Sequence, residues 1–292
     1  MKQNPQKYLE SGNFFRYKDF KIFYHQVGNG EDLLIIHGYP FGSYEWQQII
    51  SNLSEKFRVT TFDLLGMGFS DKPENHQYSY EEYCDIVNSL LDFLNISNTH
   101  ILSHDLGVSV VQELISWDLE QKNTFQINSI AFINGSLFID VYKPRFIQRL
   151  LSQTPHIIGK FLSKKISKNA IYKSVKSVYG INTQPTENFL EEQWEILNYN
   201  NGKQITYLIG RLVFEKKKYL KRWVVGMQKT KIPMCYICGP FDPNSGLHMA
   251  ERYSELIKNS QIYLLSNDIG HWPFLEDDEG FLMKYKDFLE TN

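Results

Sequence analysis

Short, uniformly apolar runs alternate with longer amphipathic stretches along much of the 292-residue chain. The run at residues 33–36 is too uniformly apolar for a strand with one wet face, so it predicts a strand buried on both faces of a parallel sheet. Ser79 and Glu82 have the spacing of a capping box, which predicts a helix to about Leu94. This alternation predicts an α/β fold with a mostly parallel central sheet flanked by helices.

The same pattern places the other elements. It predicts a hairpin over residues 13–27, strands at residues 58–62, 100–103, 127–133, 232–238 and 261–265, and helices at residues 106–119, 249–257 and 277–289. Beyond residue 134 the alternation stops, and the sequence is helical in composition up to about residue 230. We therefore predict a core domain of residues 1–134 and 231–292. A helical cap of residues 135–230 is inserted over the carboxyl edge of the sheet, where open α/β sheets bind ligands.

Charge and composition narrow the partners. A formal net charge of −2 gives no electrostatic reason to expect nucleic acid or an anionic membrane, and the lysine runs at residues 164–165 and 216–218 are interpreted as solvated helix faces. The polar N-terminus leads into no apolar run of signal-peptide or membrane-spanning length. We expect a cytoplasmic protein that acts on a small apolar substrate, with an oligomeric state that the sequence leaves open.

The three cysteines, Cys84, Cys235 and Cys238, cannot all pair. Cys235 and Cys238 have the spacing of half a zinc site or a redox pair, but they lie in an apolar run typical of a buried strand. Positions three apart on a strand point to opposite faces, so a structural role is favoured.

The candidate chemistry starts at Asp105, which stands where a strand runs into a helix, with Ser103 and Gly107 two positions away on either side. A nucleophile elbow needs small residues there, because larger side chains would collide with neighbouring elements. No G-x-S-x-G motif occurs in the chain, so a serine nucleophile is not predicted. Taken alone, Asp105 could equally be the N-cap of the helix that follows.

Two later positions favour the catalytic interpretation. Asp242 follows the strand at residues 232–238, and His271 lies in the loop before the closing helix. Nucleophile, acid and histidine in this order are typical of a catalytic triad on this type of fold. Backbone N–H groups of Tyr39 and Leu106 are the candidate oxyanion hole.

These residues make the chain similar to the epoxide-hydrolase and haloalkane-dehalogenase branch of the α/β-hydrolase superfamily. The motifs that carry the resemblance are His37-Gly38-Tyr39-Pro40, residues 63–73, residues 103–107, Asp242 and Gly270-His271. Within that branch the chain resembles the mesoderm-specific transcript-like hydrolases. That second resemblance is carried by residues 69–73, Ser103-His104-Asp105-x-Gly107, Gln112-Glu113-Leu114 and Gly239-Pro240-x-Asp242-Pro243.

The resemblance implies hydrolysis through an alkyl ester on Asp105, most simply the opening of an epoxide to a diol, since a carboxylate suits displacement at a saturated carbon. His271, oriented by Asp242, would activate water, and no metal or organic cofactor is needed. The resemblance also implies proton-donating cap tyrosines, and residues 202–207 make Tyr207 the choice for one of them. The other candidates are Tyr142, Tyr172, Tyr179 and Tyr199. Phe41 is expected to line the substrate pocket.

Several alternatives stay open. A dinucleotide site at Gly66-x-Gly68 is rejected, because Asp71 occupies the third glycine position. Haloalkane dehalogenases generally have a tryptophan directly after the nucleophile, where this chain has Leu106 with no N–H donor on its side chain; cap residues Trp194 or Trp223 could take its place. Fluoroacetate-type dehalogenases have an arginine pair that is absent here. A ligand receptor or scaffold on the same fold is the alternative outside catalysis.

Overall fold

The computed structural model describes residues 3–144 and 155–291. Its sheet has eight strands: β1 (Asn13–Tyr17), β2 (Phe20–Val27), β3 (Glu31–Ile36), β4 (Phe57–Phe62), β5 (Asn98–His104), β6 (Gln126–Ile133), β7 (Met234–Cys238) and β8 (Gln261–Leu264). Their order across the sheet is β1-β2-β4-β3-β5-β6-β7-β8. The pairs β1–β2 and β2–β4 are antiparallel, and all the others are parallel. The predicted mostly parallel sheet is confirmed.

Both faces of this sheet are covered. Leu34 and Ile36 of β3 pack into one apolar cluster, and Leu33 and Ile35 pack into another on the opposite face. All four side chains are essentially inaccessible to solvent, which explains why the run shows no polar alternation. On β7 the reduced residues Cys238 and Cys235 divide between the same two clusters, as the period-2 geometry of a strand predicts.

Seven helices flank the sheet within the described parts of the core. They are α1 (Pro5–Ser11), α2 (Gln47–Leu53), α3 (Tyr80–Phe93), α4 (Leu106–Leu119), α11 (Leu247–Leu256), α12 (Pro273–Glu276) and α13 (Asp278–Glu290). The N-cap of α3 is Ser79, whose hydroxyl accepts the Glu82 N–H at 3.1 Å, as the capping-box spacing predicts. The sequence analysis did not predict α1, α2 or α12.

Between β6 and β7 the described segments are helical. This stretch contains α5 (His156–Lys165), α6 (Lys168–Lys176), α7 (Glu187–Asn198), α8 (Thr206–Gly210), α9 (Leu212–Glu215) and α10 (Leu220–Lys229), with 3-10 segments at Tyr199–Ile205 and Lys216–Lys218. We call residues 135–230 the cap segment; their separation as a domain stays a prediction. In residues 3–144 and 155–291, no helix has the length and apolar character needed to cross a membrane.

Polar contacts fasten the cap segment to the core. The Tyr39 hydroxyl donates to the Thr206 carbonyl at 3.1 Å, and the Tyr80 hydroxyl donates to the Leu212 carbonyl at 2.8 Å. The interpretation of the lysine runs as solvated faces is wrong for Lys216, which is only 3% exposed. Its side chain turns inward to Ser136 because the short 3-10 segment places it over the loop after β6.

Candidate active site

Asp105 lies on a strained turn between β5 and α4. Its backbone has φ 49° and ψ −107°, a conformation that costs energy for a residue with a side chain. A Cβ on Gly107 would lie 2.4 Å from the Ile36 carbonyl oxygen, and a Cβ on Gly38 would lie 2.5 Å from the Asp105 Cβ. The small residues around the turn are therefore required by close approach of the backbone. The Asp105 side chain does not cap α4, so the alternative of a simple helix cap fails.

Three predicted side chains meet at this turn. Asp105 Oδ1 accepts the Tyr39 backbone N–H at 2.9 Å, and Asp105 Oδ2 lies 3.6 Å from His271 Nε2. His271 Nδ1 lies 2.7 Å from Asp242 Oδ2. The acid at the elbow, the histidine and the second acid thus form a continuous chain. Leu106, the other predicted oxyanion donor, is the first residue of α4, where a backbone N–H has no acceptor within the helix.

The Asp242 carboxylate is fully buried and densely hydrogen-bonded. Besides His271, Oδ2 accepts the Ser245 hydroxyl at 2.7 Å and the Asn134 amide at 3.1 Å, while Oδ1 accepts the Asn244 N–H at 2.8 Å. Burial alone would raise the pKa of this acid, but His271 and these donors outweigh burial and lower the pKa of Asp242 to about 2. Asp242 is therefore ionised at neutral pH and holds the histidine in one orientation.

His271 has a raised pKa. Burial disfavours the imidazolium, but Asp242, with smaller effects of Asp105 and Glu45, outweighs burial and raises the pKa of His271 to about 9. The loop that carries this histidine is itself anchored, since His104 Nε2 donates to the His271 carbonyl at 2.9 Å. The adjacent Trp272 indole donates to Glu45 at 3.0 Å. These contacts fix the ring relative to the elbow.

Sequence reasoning missed the residues that support this arrangement. Asn134 follows β6 directly, and its side chain also accepts the Gly239 N–H at 2.7 Å, so it joins two strand ends. A polar residue at the carboxyl end of a parallel strand was the available signal. Ser245 and Asn244 follow Asp242 by two and three positions, but nothing in the spacing identifies them as its donors. Glu45 and His104 are buried acidic and basic residues that only the fold brings to the histidine loop.

A cavity of about 330 Å³ opens above the triad between core and cap segment. Asp105 and His271 lie at it, and its walls are mainly apolar, including Phe41, Val175 and Val213. Its size and lining suit a small apolar ligand. The placement of Phe41 agrees with the prediction that it lines the pocket.

The structure places Tyr207 elsewhere. Its hydroxyl lies 2.9 Å from His156 Nε2 on α5, and Tyr207 is not among the described residues that line the cavity. The predicted position of this hydroxyl over Asp105 is therefore not observed, because the short helix α8 turns the ring towards α5. Trp223, a candidate halide ligand, donates its indole N–H to the buried Glu113 at 2.6 Å.

The sheet order, the strained elbow and the acid–histidine–acid chain define an α/β hydrolase. The family model described as "alpha/beta hydrolase fold" matches residues 33–116. The chain is 35% identical over 290 residues to the mesoderm-specific transcript protein of Mus musculus, covering 96% of this chain and 86% of that protein. The chain therefore belongs to the mesoderm-specific transcript family of α/β hydrolases.

Solved structures agree on the fold. The Cif epoxide hydrolase from Acinetobacter nosocomialis superposes with a TM-score of 0.78 at 20% identity, covering 96% of this chain and 88% of that chain. The haloalkane dehalogenase DatA from Agrobacterium tumefaciens C58 superposes with a TM-score of 0.76 at 17% identity, covering 96% and 97%. At these identities the likeness establishes the architecture alone.

Proposed function

We propose that this hydrolase opens an apolar epoxide to a diol through an alkyl ester on Asp105. The observation that carries the proposal is the Asp105 carboxylate itself, which occupies the elbow between the Tyr39 N–H and the His271 ring. A carboxylate at this position suits attack on a saturated carbon, whereas acyl transfer on this fold ordinarily uses serine. The apolar cavity of about 330 Å³ supports a small uncharged substrate.

The two carboxylate oxygens of Asp105 have separate roles in this proposal. Oδ1, which accepts the Tyr39 N–H, becomes the carbonyl oxygen of the ester and then the oxyanion that Tyr39 and Leu106 stabilise. Oδ2, which faces His271, attacks the epoxide carbon. Water deprotonated by His271 then attacks the ester carbonyl and regenerates the carboxylate.

Haloalkane dehalogenation is the nearer alternative, because it uses the same ester. Halide departure needs donors such as indole N–H groups at the cavity. Among the described residues that line the cavity, the tryptophan is Trp272, and its N–H is already given to Glu45. Trp223 is bound to Glu113, and Trp194 does not line the cavity. The arrangement of the indoles therefore favours epoxide over halide.

The test is intact-protein mass spectrometry of the His271→Gln variant, incubated in parallel with styrene oxide and with 1-bromobutane. Losing the base strands the ester, so we expect a mass increase of one epoxide per chain. Digestion and fragmentation would place the added mass on Asp105. An adduct with the bromoalkane alone would instead identify a dehalogenase.

Two controls define the result. The His271→Gln variant that also carries Asp105→Asn should gain no mass, since it has no carboxylate at the elbow. His76→Gln removes a histidine that lies against Glu82, outside the triad, and should turn over substrate without accumulating an adduct. Absence of any adduct in His271→Gln with a panel of epoxides would contradict the proposed function.

A further inference from the structure

Lys216 is a buried basic residue that the triad chemistry does not use. It is 3% exposed, although Lys217 and Lys218 in the same 3-10 segment are exposed. Its Nζ donates to the Ser136 hydroxyl, lies 3.4 Å from the Ser136 carbonyl oxygen, and stands 5.9 Å from the centre of the Tyr142 ring. Within residues 3–144 and 155–291, no carboxylate lies within ion-pairing distance of this Nζ. A buried ammonium without a paired carboxylate is costly, so it needs an explanation.

The surroundings of Lys216 place it beside the elbow. Ser136 follows Gly135, where a Cβ would lie 2.9 Å from the Asp105 carbonyl oxygen. Val213, one turn before Lys216, lines the cavity above Asp105. Burial lowers the pKa of Lys216 to about 8, and the Asp105 carboxylate acts in the opposite direction and favours the ammonium. Lys216 is therefore a cap-segment cation held close to the candidate nucleophile.

The proposed reaction lacks a proton donor at this cavity. Opening an epoxide leaves an alkoxide, which needs a proton from a positioned acid. No cap-segment tyrosine is among the described residues that line the cavity, and the hydroxyl of Tyr39, which does line it, is given to Thr206. Lysine carries its charge on a flexible four-carbon stem and has a pKa that shifts readily, so it can replace a phenol in this role.

We propose that Lys216 is the acid that protonates the departing epoxide oxygen. The inference rests on the proposed function and adds the missing proton donor to it. In the free protein Nζ is bound to Ser136, so the lysine must turn from that hydroxyl to the leaving oxygen as the substrate opens.

The proton balance closes within the site. Asp105 Oδ2 forms a bond to the epoxide carbon, the ring C–O bond breaks, and the ammonium of Lys216 gives its proton to that oxygen and becomes a neutral amine. His271 takes one proton from water, and the resulting hydroxide attacks the ester carbonyl. Collapse of the tetrahedral intermediate releases the second diol oxygen, which takes the proton back from His271. Asp105 is left as the acid and returns its proton to the Lys216 amine.

The experiment compares alkylation rates in the His271→Gln background by intact-protein mass spectrometry under single-turnover conditions. Adding Lys216→Met should slow alkylation by styrene oxide by about 100-fold, the lower range for loss of a general acid. Adding Lys217→Met, which changes an exposed neighbour, should leave the rate unchanged. Added ethylammonium should restore at least about a tenth of the lost rate to the Lys216→Ala variant, since a small amine can occupy the vacated space and supply the proton.

Each outcome separates the two proposals. Equal rates of styrene oxide alkylation in the His271→Gln parent and in its Lys216→Met derivative would overturn the role of Lys216 and leave the proposed function intact. Slow alkylation of Lys216→Met together with no rescue of Lys216→Ala by the amine would mean that the lysine only maintains the structure, which also overturns the inference. No adduct in the parent would remove the proposed function, and the inference with it.

Discussion

Replacing Asp242 with asparagine tests the electrostatics of the triad directly. Asparagine keeps the shape of the side chain but removes the charge that lies 2.7 Å from His271 Nδ1. In the wild type, burial lowers the pKa of His271, and Asp242, Asp105 and Glu45 together raise it to about 9, compared with 6.5 for an ordinary histidine. We expect Asp242→Asn to return the pKa of His271 to about 6.5 or below, because burial then lacks its main opponent.

The size of the effect follows from these values. A rise from 6.5 to about 9 corresponds to about 3 kcal/mol of the free energy of unfolding. Because the folded-state pKa is raised, this stabilisation is fully present below pH 6.5 and is lost as the pH rises through 9. The lowered pKa of Asp242 describes the same ion pair, is lost as the pH falls through 2, and is not added. At about 2.1 cal/mol/K of unfolding entropy per residue, 3 kcal/mol corresponds to about 5 °C in Tm.

Two measurements check the prediction. Histidine ring resonances followed by NMR between pH 5 and 10 give the pKa, with His271→Gln identifying the signal. Thermal unfolding of the wild type should lose about 5 °C more than Asp242→Asn between pH 6 and pH 10. A His271 pKa that stays near 9 in Asp242→Asn, or equal pH dependence of Tm in both proteins, would refute this account of the triad.

Three other predictions concern the ester, the elbow and the cap segment. In H₂¹⁸O a single turnover should put ¹⁸O into the Asp105 carboxylate, measured by mass spectrometry of its peptide; label in the product alone would contradict an ester. Gly107→Ala should lower the free energy of unfolding by about 1–3 kcal/mol, because its Cβ would lie 2.4 Å from a backbone carbonyl. Gly226→Ala, with 3.3 Å of space in α10, should cost nothing measurable in denaturant unfolding. Glu113→Gln should cost about 2–3 kcal/mol in the same assay, since its buried carboxylate accepts two indole N–H groups and an arginine, whereas Glu120→Gln, half-exposed on that arginine, should cost under about 1 kcal/mol.

The sequence was sufficient for the elements whose signals are local. Strand β3 could be recognised because both of its faces are buried, so apolar residues occupy consecutive positions. Helix α4 could be bounded correctly because the elbow fixes its first residue at Leu106. Helix α1 was missed although Asn4 caps it and Pro5 begins it, since a helix of seven residues has too little apolar periodicity to stand out.

At the site, the predictable residues were those whose backbone position is tied to a strand end. Asp105, Asp242 and His271 each follow a strand, so the topology of a parallel sheet brings them to one edge. The positions of Tyr207 and Lys216 depend instead on how short helices of the cap segment pack against one another. A lysine run on a polar helix is ordinarily solvated, and only the turn of the 3-10 segment at Lys216–Lys218 carries one of its members inward. Tertiary packing therefore decides what periodicity cannot.

The charges around Asp105 give a physical reason for the order of the two proposed steps. In the free protein the carboxylates of Asp105 and Asp242 face the imidazolium of His271 and the ammonium of Lys216, so these four charges cancel. Alkylation removes the charge of Asp105, which raises the pKa of both His271 and Lys216. Both cations then become stronger acids, so Lys216 can release its proton to the alkoxide and His271 can become the neutral base that water needs. The nucleophile thereby keeps the base protonated until the ester exists, and the ester-hydrolysis rate should rise with pH along a curve whose midpoint lies below the pKa of about 9 for His271 in the free protein.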